Sequence, residues 1–239
     1  MASIEVKRVA VVGAGMAGAT CARALAQAGH GVQVFDKARR PGGRLATRRL
    51  AWVDGEGELQ TTLLDHGAPG LSARGETFGA YLGAGLQAGA LAQWRPALAP
   101  GSLPLDDAAP IHVPVPDSPT LCRDLLAGLA TTWSCAIDGL HRSVPGWHVE
   151  AAGQRQGGSF DAVVLALPPA QAAPLLAAHR PDWARHASLA PMQPCWTLMG
   201  VATERSPSTW DLARPAAGPG PRLTGSARWR LPSRSSMAA

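Results

Sequence analysis

Two short, unbroken apolar runs open the chain, with a helix-favouring stretch between them. Arg8 to Val12 (RVAVV) is rich in β-branched residues and carries no alternation, which predicts a strand buried on both faces of a parallel sheet. It leads into Gly13-Ala14-Gly15-Met16-Ala17-Gly18. Ala19 to Ala28 then favours helix, with Gly29 where a C-terminal cap belongs. A second apolar strand, Gly31 to Phe35, ends at Asp36. The order is strand, glycine turn, helix, strand, acid.

Weaker patterns follow. Arg49 to Val53 and Glu58 to Leu64 read as a hairpin turning at Asp54-Gly55-Glu56-Gly57. A helix is predicted over roughly Thr77 to Leu91, followed by proline-rich connections (Pro96, Pro100, Pro104, Pro110, Pro114, Pro116). Ser118 to Leu129 reads as a helix started by Ser118 or Thr120, with Leu121, Leu125, Leu126 and Leu129 on one face. Ser134 to Leu140 and Gly146 to Ala151 read as a strand pair. Phe160 to Leu167 is a further buried strand, stopped by Pro168-Pro169, and Ala170 to Ala178 is a helix. Strands alternating with helices place the chain in the α/β class, with a Rossmann-like domain at its N-terminal end.

Each glycine of the first turn has a physical reason. Gly13 permits the tight turn, Gly15 leaves room for a diphosphate against the backbone, and Gly18 lets the helix pack closely. The helix N-terminus offers unpaired N–H groups and partial positive charge to phosphates. Asp36 stands 23 positions beyond Gly13, near the spacing of about 20 expected for a ribose-binding acid. A carboxylate there accepts hydrogen bonds from a free ribose 2′-OH and repels a 2′-phosphate, so NAD or FAD is expected rather than NADP. After Asp36 come Lys37, Arg39, Arg40, Arg44, Arg48 and Arg49 around the Gly42-Gly43 pair. Two residues without side chains would admit a cofactor, and Arg44 would offset diphosphate charge.

The double signature, G-x-G-x-x-G with its acid and then Arg40-Pro41-Gly42-Gly43-Arg44-Leu45-Ala46-Thr47-Arg48, resembles the flavin-containing amine oxidase superfamily. Within it, the likeness is to bacterial renalase-like FAD-dependent oxidoreductases. The resemblance covers roughly residues 6–204 and is densest over 8–49 and 160–178. It implies FAD as cofactor, contacted at Gly13, Ala14, Gly15, Met16, Ala17, Gly18, Asp36, Lys37, Gly42, Gly43 and Arg44. Leu64-Asp65-His66-Gly67-Ala68 resembles a family segment near the flavin ring, which adds His66, Gly67 and Ala68. Pro69-Gly70-Leu71 departs from the Gln-aromatic portion found there, and His66 reads as a loop histidine without a catalytic role. Ile137 is the position matching a backbone contact to adenine, and Ala166 lies where the chain returns to the FAD sheet.

The resemblance also implies an order of segments. Residues 1–75 and 118–178 form the FAD-binding part, and an incomplete α+β substrate domain is inserted as 76–117 and 179–205. Trp94-Arg95-Pro96 would line a substrate cavity or, on the safer reading, cover the core. Cys195, Trp196 and Met199 fall in a strand-like stretch of that domain. Residues 206–239 hold five arginines, five prolines and six serines but no Val, Ile, Phe or Tyr, and read as a disordered or non-native tail. No Gly-Asp dipeptide of the family's second FAD signature occurs. A truncated or frame-shifted product is the expectation.

Composition narrows the function classes. The net charge is +5, of which the tail's five arginines against Asp211 supply +4, so no basic folded face for nucleic acid is expected. The four cysteines are scattered without a C-x-x-C pair, which argues against a metal site or disulfide framework. No leader-like segment or long apolar run is read, so the expectation is a cytoplasmic protein with no membrane partner. The implied activity is hydride transfer from a small-molecule substrate, a reduced dinucleotide or an amine, to flavin and then to O2. Such a donor is activated by its own nitrogen, and no catalytic residue is named. Two other readings stand beside it: a non-catalytic truncated remnant, and an NAD-dependent dehydrogenase.

Overall fold

The computed structural model describes residues 5–68, 70–103, 110–194, 196–201, 209–213 and 226–227. Two compact units emerge: Met1–Ala46 with Pro119–Trp196, and Thr47–Ser118 with Thr197–Ala239.

The first unit is built on a four-stranded parallel sheet. Strands β1 (Arg8–Val12), β2 (Gly31–Phe35), β7 (Ala130–Thr132) and β11 (Ala162–Leu165) lie in the order β11-β1-β2-β7. Numbered by their place in the sheet's own course, that order is 3-2-1-4 read from β7. It puts the reversal between β1 and β11, the crevice where such sheets take ligands at their C-terminal edge. Helix α1 (Met16–Gln27) crosses back from β1 to β2, and α3 (Thr120–Leu126) packs on it.

The sheet is buried on both faces because a second sheet covers the side away from α1. Strands β8 (Gly139–Arg142), β9 (Trp147–Ala151) and β10 (Gln154–Phe160) pair antiparallel in the order β10-β9-β8. Ala10, Val12 and Phe35 form one buried cluster with Cys135, Ile137, Val149 and Phe160. Strand alternation sends Val9 and Val11 to the opposite face, where both are also buried. That is why RVAVV has no polar position after Arg8. Arg8 itself clasps the two sheets: its guanidinium donates to the Ser159 carbonyl at 3.0 Å and to the Gly157 carbonyl, and lies 4.7 Å from the Phe160 ring centroid. Helices α4 (Pro169–Leu176) and α5 (Pro181–Leu189) pack against each other after β11.

The second unit holds two hairpin-like pairs and a helix. Strands β3 (Ala46–Val53) and β4 (Leu59–His66) form one pair, and β5 (Leu91–Trp94) with β6 (Ile111–Pro114) the other. Helix α2 (Glu76–Gln87) packs on β5. A short pair, β12 (Leu212–Ala213) and β13 (Ser226–Ala227), completes the described elements. No helix among the described residues is long and apolar enough to cross a membrane.

Several sequence expectations are corrected. Helix α2 stops at Gln87, because Gly89 takes φ +68°, and Leu91 begins a strand instead. The proline-rich connections contain β5 and β6; Pro114 is the last residue of β6, a position that needs no further ladder donor. Helix α3 is shorter than Ser118 to Leu129 and starts at Thr120 without a side-chain cap. The strand predicted from Ser134 begins only at Gly139, and β7, β10 and α5 were not foreseen. Phe160 closes β10 rather than opening β11, and His66 closes β4 rather than sitting in a loop. Trp196 and Met199 lie outside any strand, while Cys195 and most of the tail lie outside the described residues.

Arg23 on α1 donates to the Leu125 carbonyl at 2.7 Å and to the Ala127 carbonyl, so it satisfies the exposed end of α3 with a positive charge. Arg23→Ala is expected to lower unfolding stability by about 1–3 kcal/mol in urea titration. Burial pushes the Cys122 thiol up to about 11, and burial followed by the Asp138 carboxylate raises the Cys135 thiol. At pH 8 about one Cys122 in a thousand is then thiolate, the reactive form. Peptide mapping after alkylation of the native chain should find Cys122 and Cys135 unmodified, and both modified once urea unfolds it.

Candidate functional site

The site is built at the C-terminal ends of β1 and β2, all within the first unit. The chain leaves β1 at Gly13, whose amide donates to the Phe35 carbonyl at 2.8 Å and whose φ is +110°. A side chain there would also press on the Ala166 carbonyl, 2.6 Å from a methyl in that position. Ala166 is fixed in turn by its amide, which donates to the Val12 carbonyl at 2.8 Å. On Gly18 a methyl would run into the Gly13 carbonyl and approach the Ala166 Cβ at 3.1 Å. The turn, the first step of α1 and the end of β11 therefore meet with no room for side chains.

Helix α1 begins without a side-chain cap. Its cap residue is Gly15, in extended conformation, and no acidic residue occupies its first turn. The amides of Met16, Ala17 and Gly18 are the orphan donors of that end. Together with the axial dipole they form a place for an anion.

Asp36 closes the other side of the turn. Its Oδ2 accepts from the Ala14 amide at 2.6 Å and its Oδ1 from the Ala38 amide at 2.7 Å. A carboxylate has about four lone-pair sites, so two remain for a ligand hydroxyl. Sequence reasoning expects only a ribose contact from this acid; the structure shows that it also holds the glycine turn against the end of β2.

The basic loop that follows folds back onto the same turn. The Gly42 amide donates to the Ala14 carbonyl at 3.0 Å, and Gly15 and Gly42 bridge as parallel partners. Gly42 and Gly43 both have positive φ, +130° and +57°. A methyl on Gly43 would stand 3.1 Å from the Gly15 Cα, and one on Gly42 would strike the Leu45 carbonyl. The two glycine segments, 24 or more residues apart in sequence, thus lie backbone to backbone. Arg44 is exposed directly beside them, as are Arg39 and Arg40, and Lys37 donates to Gln171 Oε1 at 3.2 Å.

A third segment borders Asp36. After β7 the chain runs alongside residues 36–38, held by three backbone bonds: Asp36 amide to Thr132 carbonyl at 3.0 Å, Ser134 amide to Ala38 carbonyl at 2.9 Å, and Cys135 amide to Asp36 carbonyl at 2.9 Å. Ser134 adopts φ +54°, uncommon for a residue with a side chain. Ile137 lies further along this segment, with its side chain buried in the core beside Cys135 and Val149.

The structure thus gathers Gly13, Ala14, Gly15, Met16, Ala17, Gly18, Asp36, Lys37, Gly42, Gly43, Arg44, Ile137 and Ala166 in the first unit. His66, Gly67 and Ala68 belong to the second. There His66 is half-buried at the end of β4, Gly67 is exposed with φ +93°, and Ala68 is half-buried. Asp65 next to them accepts hydrogen bonds from the Thr47 hydroxyl and, at 3.2 Å, from the Ser118 amide. Sequence reasoning did not pair Thr47 with Asp65. No spacing rule connects them; only the hairpin brings them together.

Residues 11–82 match the model of a family described as an NAD(P)-binding Rossmann-like domain. The N-terminal part of this chain has a Rossmann-like fold. Among solved structures, an oxidoreductase from Methanosarcina mazei is similar with a TM-score of 0.52 at 12% identity, over 76% of this chain and 65% of that one. A protein assigned as a protoporphyrinogen oxidase, from Exiguobacterium sp. 255-15, is similar with a TM-score of 0.52 at 11% identity, over 76% and 64%. A putrescine oxidase with a redesigned cofactor site stands further off, with a TM-score of 0.46 at 14% identity over 71% and 59%. At such identities the likeness is one of fold, and the chain spans less than two thirds of the length of each.

The closeness of the backbones makes a clear prediction. Gly18→Ala forces a methyl against a main-chain carbonyl that has nowhere to move, and should cost about 1–3 kcal/mol of stability. Urea unfolding of the variant measures it; an unchanged midpoint would mean that the turn and helix are not so tightly joined.

Proposed function

We propose that this chain is built as an FAD-dependent oxidoreductase of the renalase-like kind, with its FAD held by the first unit. The observation that carries the reading is the pairing of Gly42 with Gly15. A Rossmann turn for NAD alone has no need of a second glycine pair laid on it, nor of Arg44 beside that pair. A diphosphate at the uncapped start of α1 would lie next to both, its charge met by the amides of Met16, Ala17 and Gly18 and by the Arg44 guanidinium. The free lone pairs of Asp36 would take the ribose hydroxyl.

When bound, FAD would supply the redox chemistry, accepting a hydride from a reduced dinucleotide or an amine and passing the electron pair to O2 with release of H2O2. The chain's own residues orient and neutralise. Asp36 sets the ribose, and the glycine pairs set how near the diphosphate comes to the backbone. The Ile137 segment would border the adenine, with its main chain as the contacting part because its side chain is buried. The folds of the Methanosarcina and Exiguobacterium proteins, named as an oxidoreductase and a protoporphyrinogen oxidase, support this reading at the level of architecture. A cytoplasmic location remains part of the proposal.

The test is the visible spectrum of the purified 239-residue chain after incubation with FAD and desalting. Retained flavin absorbance near 450 nm, a rough value set by the cofactor itself, is the expected result. Asp36→Ala should then reduce the retained flavin several-fold. A colourless chain that is nevertheless stabilised against heat by NAD would replace this reading with that of an NAD-dependent dehydrogenase.

A further inference from the structure

The segment bordering Asp36 carries a large side chain that lies outside the buried cluster under the sheet. Trp133 follows β7 directly and sits at the C-terminal edge of the parallel sheet, between the residues whose backbones bond to Asp36 and Ala38. Its neighbours Cys135 and Ile137 are buried in the cluster under the sheet, but Trp133 is half-buried and is not among the side chains that pack on that cluster. Among the described residues it makes no hydrogen bond and no contact with another aromatic ring. The segment is also held in a costly shape: Ser134 is left-handed at φ +54°, and that strain is sustained by the bonds to residues 36 and 38. A large, half-buried flat ring thus stands in the segment bonded to the backbone of residues 36–38, outside the cluster under the sheet.

We propose that Trp133 is the adenine-recognition residue of this site, its indole stacking on the base of the bound dinucleotide. The inference rests on the dinucleotide reading above and adds to it the residue that would hold the base. A sheet of this order brings the nucleoside end of its ligand past the end of β2, toward β7, once the diphosphate lies at α1. Trp133 stands at that end. Every base has a flat π-face, and an indole is the largest side chain that can match it. The part-exposed ring is a positioning group: it touches the adenine and takes no part in electron transfer.

The probe is ADP, which carries the adenine, ribose and diphosphate without flavin, and inorganic pyrophosphate serves as the control without a base. Titration calorimetry of the full chain should show Trp133→Ala weakening ADP roughly tenfold, the order expected for one lost stacking contact. Pyrophosphate binding should stay within about twofold, and Trp133→Phe should restore most of the ADP affinity. A purely structural tryptophan would lower both affinities together, and equal ADP binding by Trp133→Ala and the parent would end the proposal. Should Trp133→Ala fail to fold, Trp133→Leu keeps the bulk without the flat ring, and its loss or retention of ADP affinity decides. If the parent chain binds neither ADP nor FAD, the dinucleotide reading itself fails; if it binds both and only the Trp133 variants are indifferent, that reading stands and stacking does not.

Discussion

The hydrogen bond from the Ala14 amide to the Asp36 carboxylate sets the geometry on which the rest of the first unit depends. At 2.6 Å it ties the glycine turn to the end of the neighbouring strand. The Gly13 amide bonds to Phe35 beside it, so two successive residues of the turn are held by the last residue of β2 and the one that follows it. Once the turn is fixed there, α1 must start against it, and Gly18 has to be bare. The basic loop then comes back over Gly15 and bonds to Ala14, so Gly42 and Gly43 have to be bare as well. Four glycines, Gly13, Gly18, Gly42 and Gly43, are thus explained by one constraint, the approach of three backbone segments to each other. The same approach leaves the amides at the start of α1 clear of side chains, which suits a polyanionic ligand.

The two units meet the need for internal order in different ways. In the first, apolar area does most of the work: β1 is buried from Val9 to Val12, and Phe35 and Phe160 meet edge to face with centroids 6.0 Å apart. Arg8 extends that core with a polar clasp, because its guanidinium reaches carbonyls that the bulge in β10 leaves outside the ladder. Among the described residues of the second unit, Leu82, Leu91, Pro114 and Leu212 are the buried apolar side chains. Polar nodes carry more of the organisation there. Asp65 gathers Thr47 and the Ser118 amide, and Asp54 accepts from the Glu58 amide and from Gln60 across the β3–β4 turn. Those last two bonds hold the Asp54 carboxyl below its ordinary range.

The βαβ unit is legible in the sequence because its signals are local and strong: a continuous apolar strand, three glycines at fixed spacing and an acid closing the second strand. The hairpin is legible for a similar reason, since Asp54 to Gly57 can hardly be anything but a turn. Strand β7 is not legible. Ala130-Thr131-Thr132 is three residues long and is made a strand by the edge of β2, not by its own pattern. Strands β5 and β6 were hidden by the prolines around them, whose effect on the chain is real but falls at strand ends. The site shows the same division. The glycines and Asp36 can be found by spacing, whereas the contact of Gly42 with Gly15 and of the 132–135 segment with residues 36–38 needs long-range pairing that no window of sequence contains.

The chemistry of the site follows from what its residues are able to do. The groups around the glycine turn are amides, carbonyls, a carboxylate already holding two N–H groups, and guanidinium groups that do not give up protons. Cys135 lies in the bordering segment, but it is buried, and burial followed by the Asp138 charge raises its thiol, which disfavours the reactive thiolate. Such a set is suited to hydrogen-bonding a hydroxyl and to neutralising an anion, and less to moving protons between reacting atoms. Reaction chemistry at this place would therefore have to come from a group that the site holds. The first unit's part would be to fix that group's position through its diphosphate and its base. The strain kept at Ser134 fits that division of labour, because a loop held out of its relaxed shape is worth maintaining where it places a contact and not where it merely joins two strands.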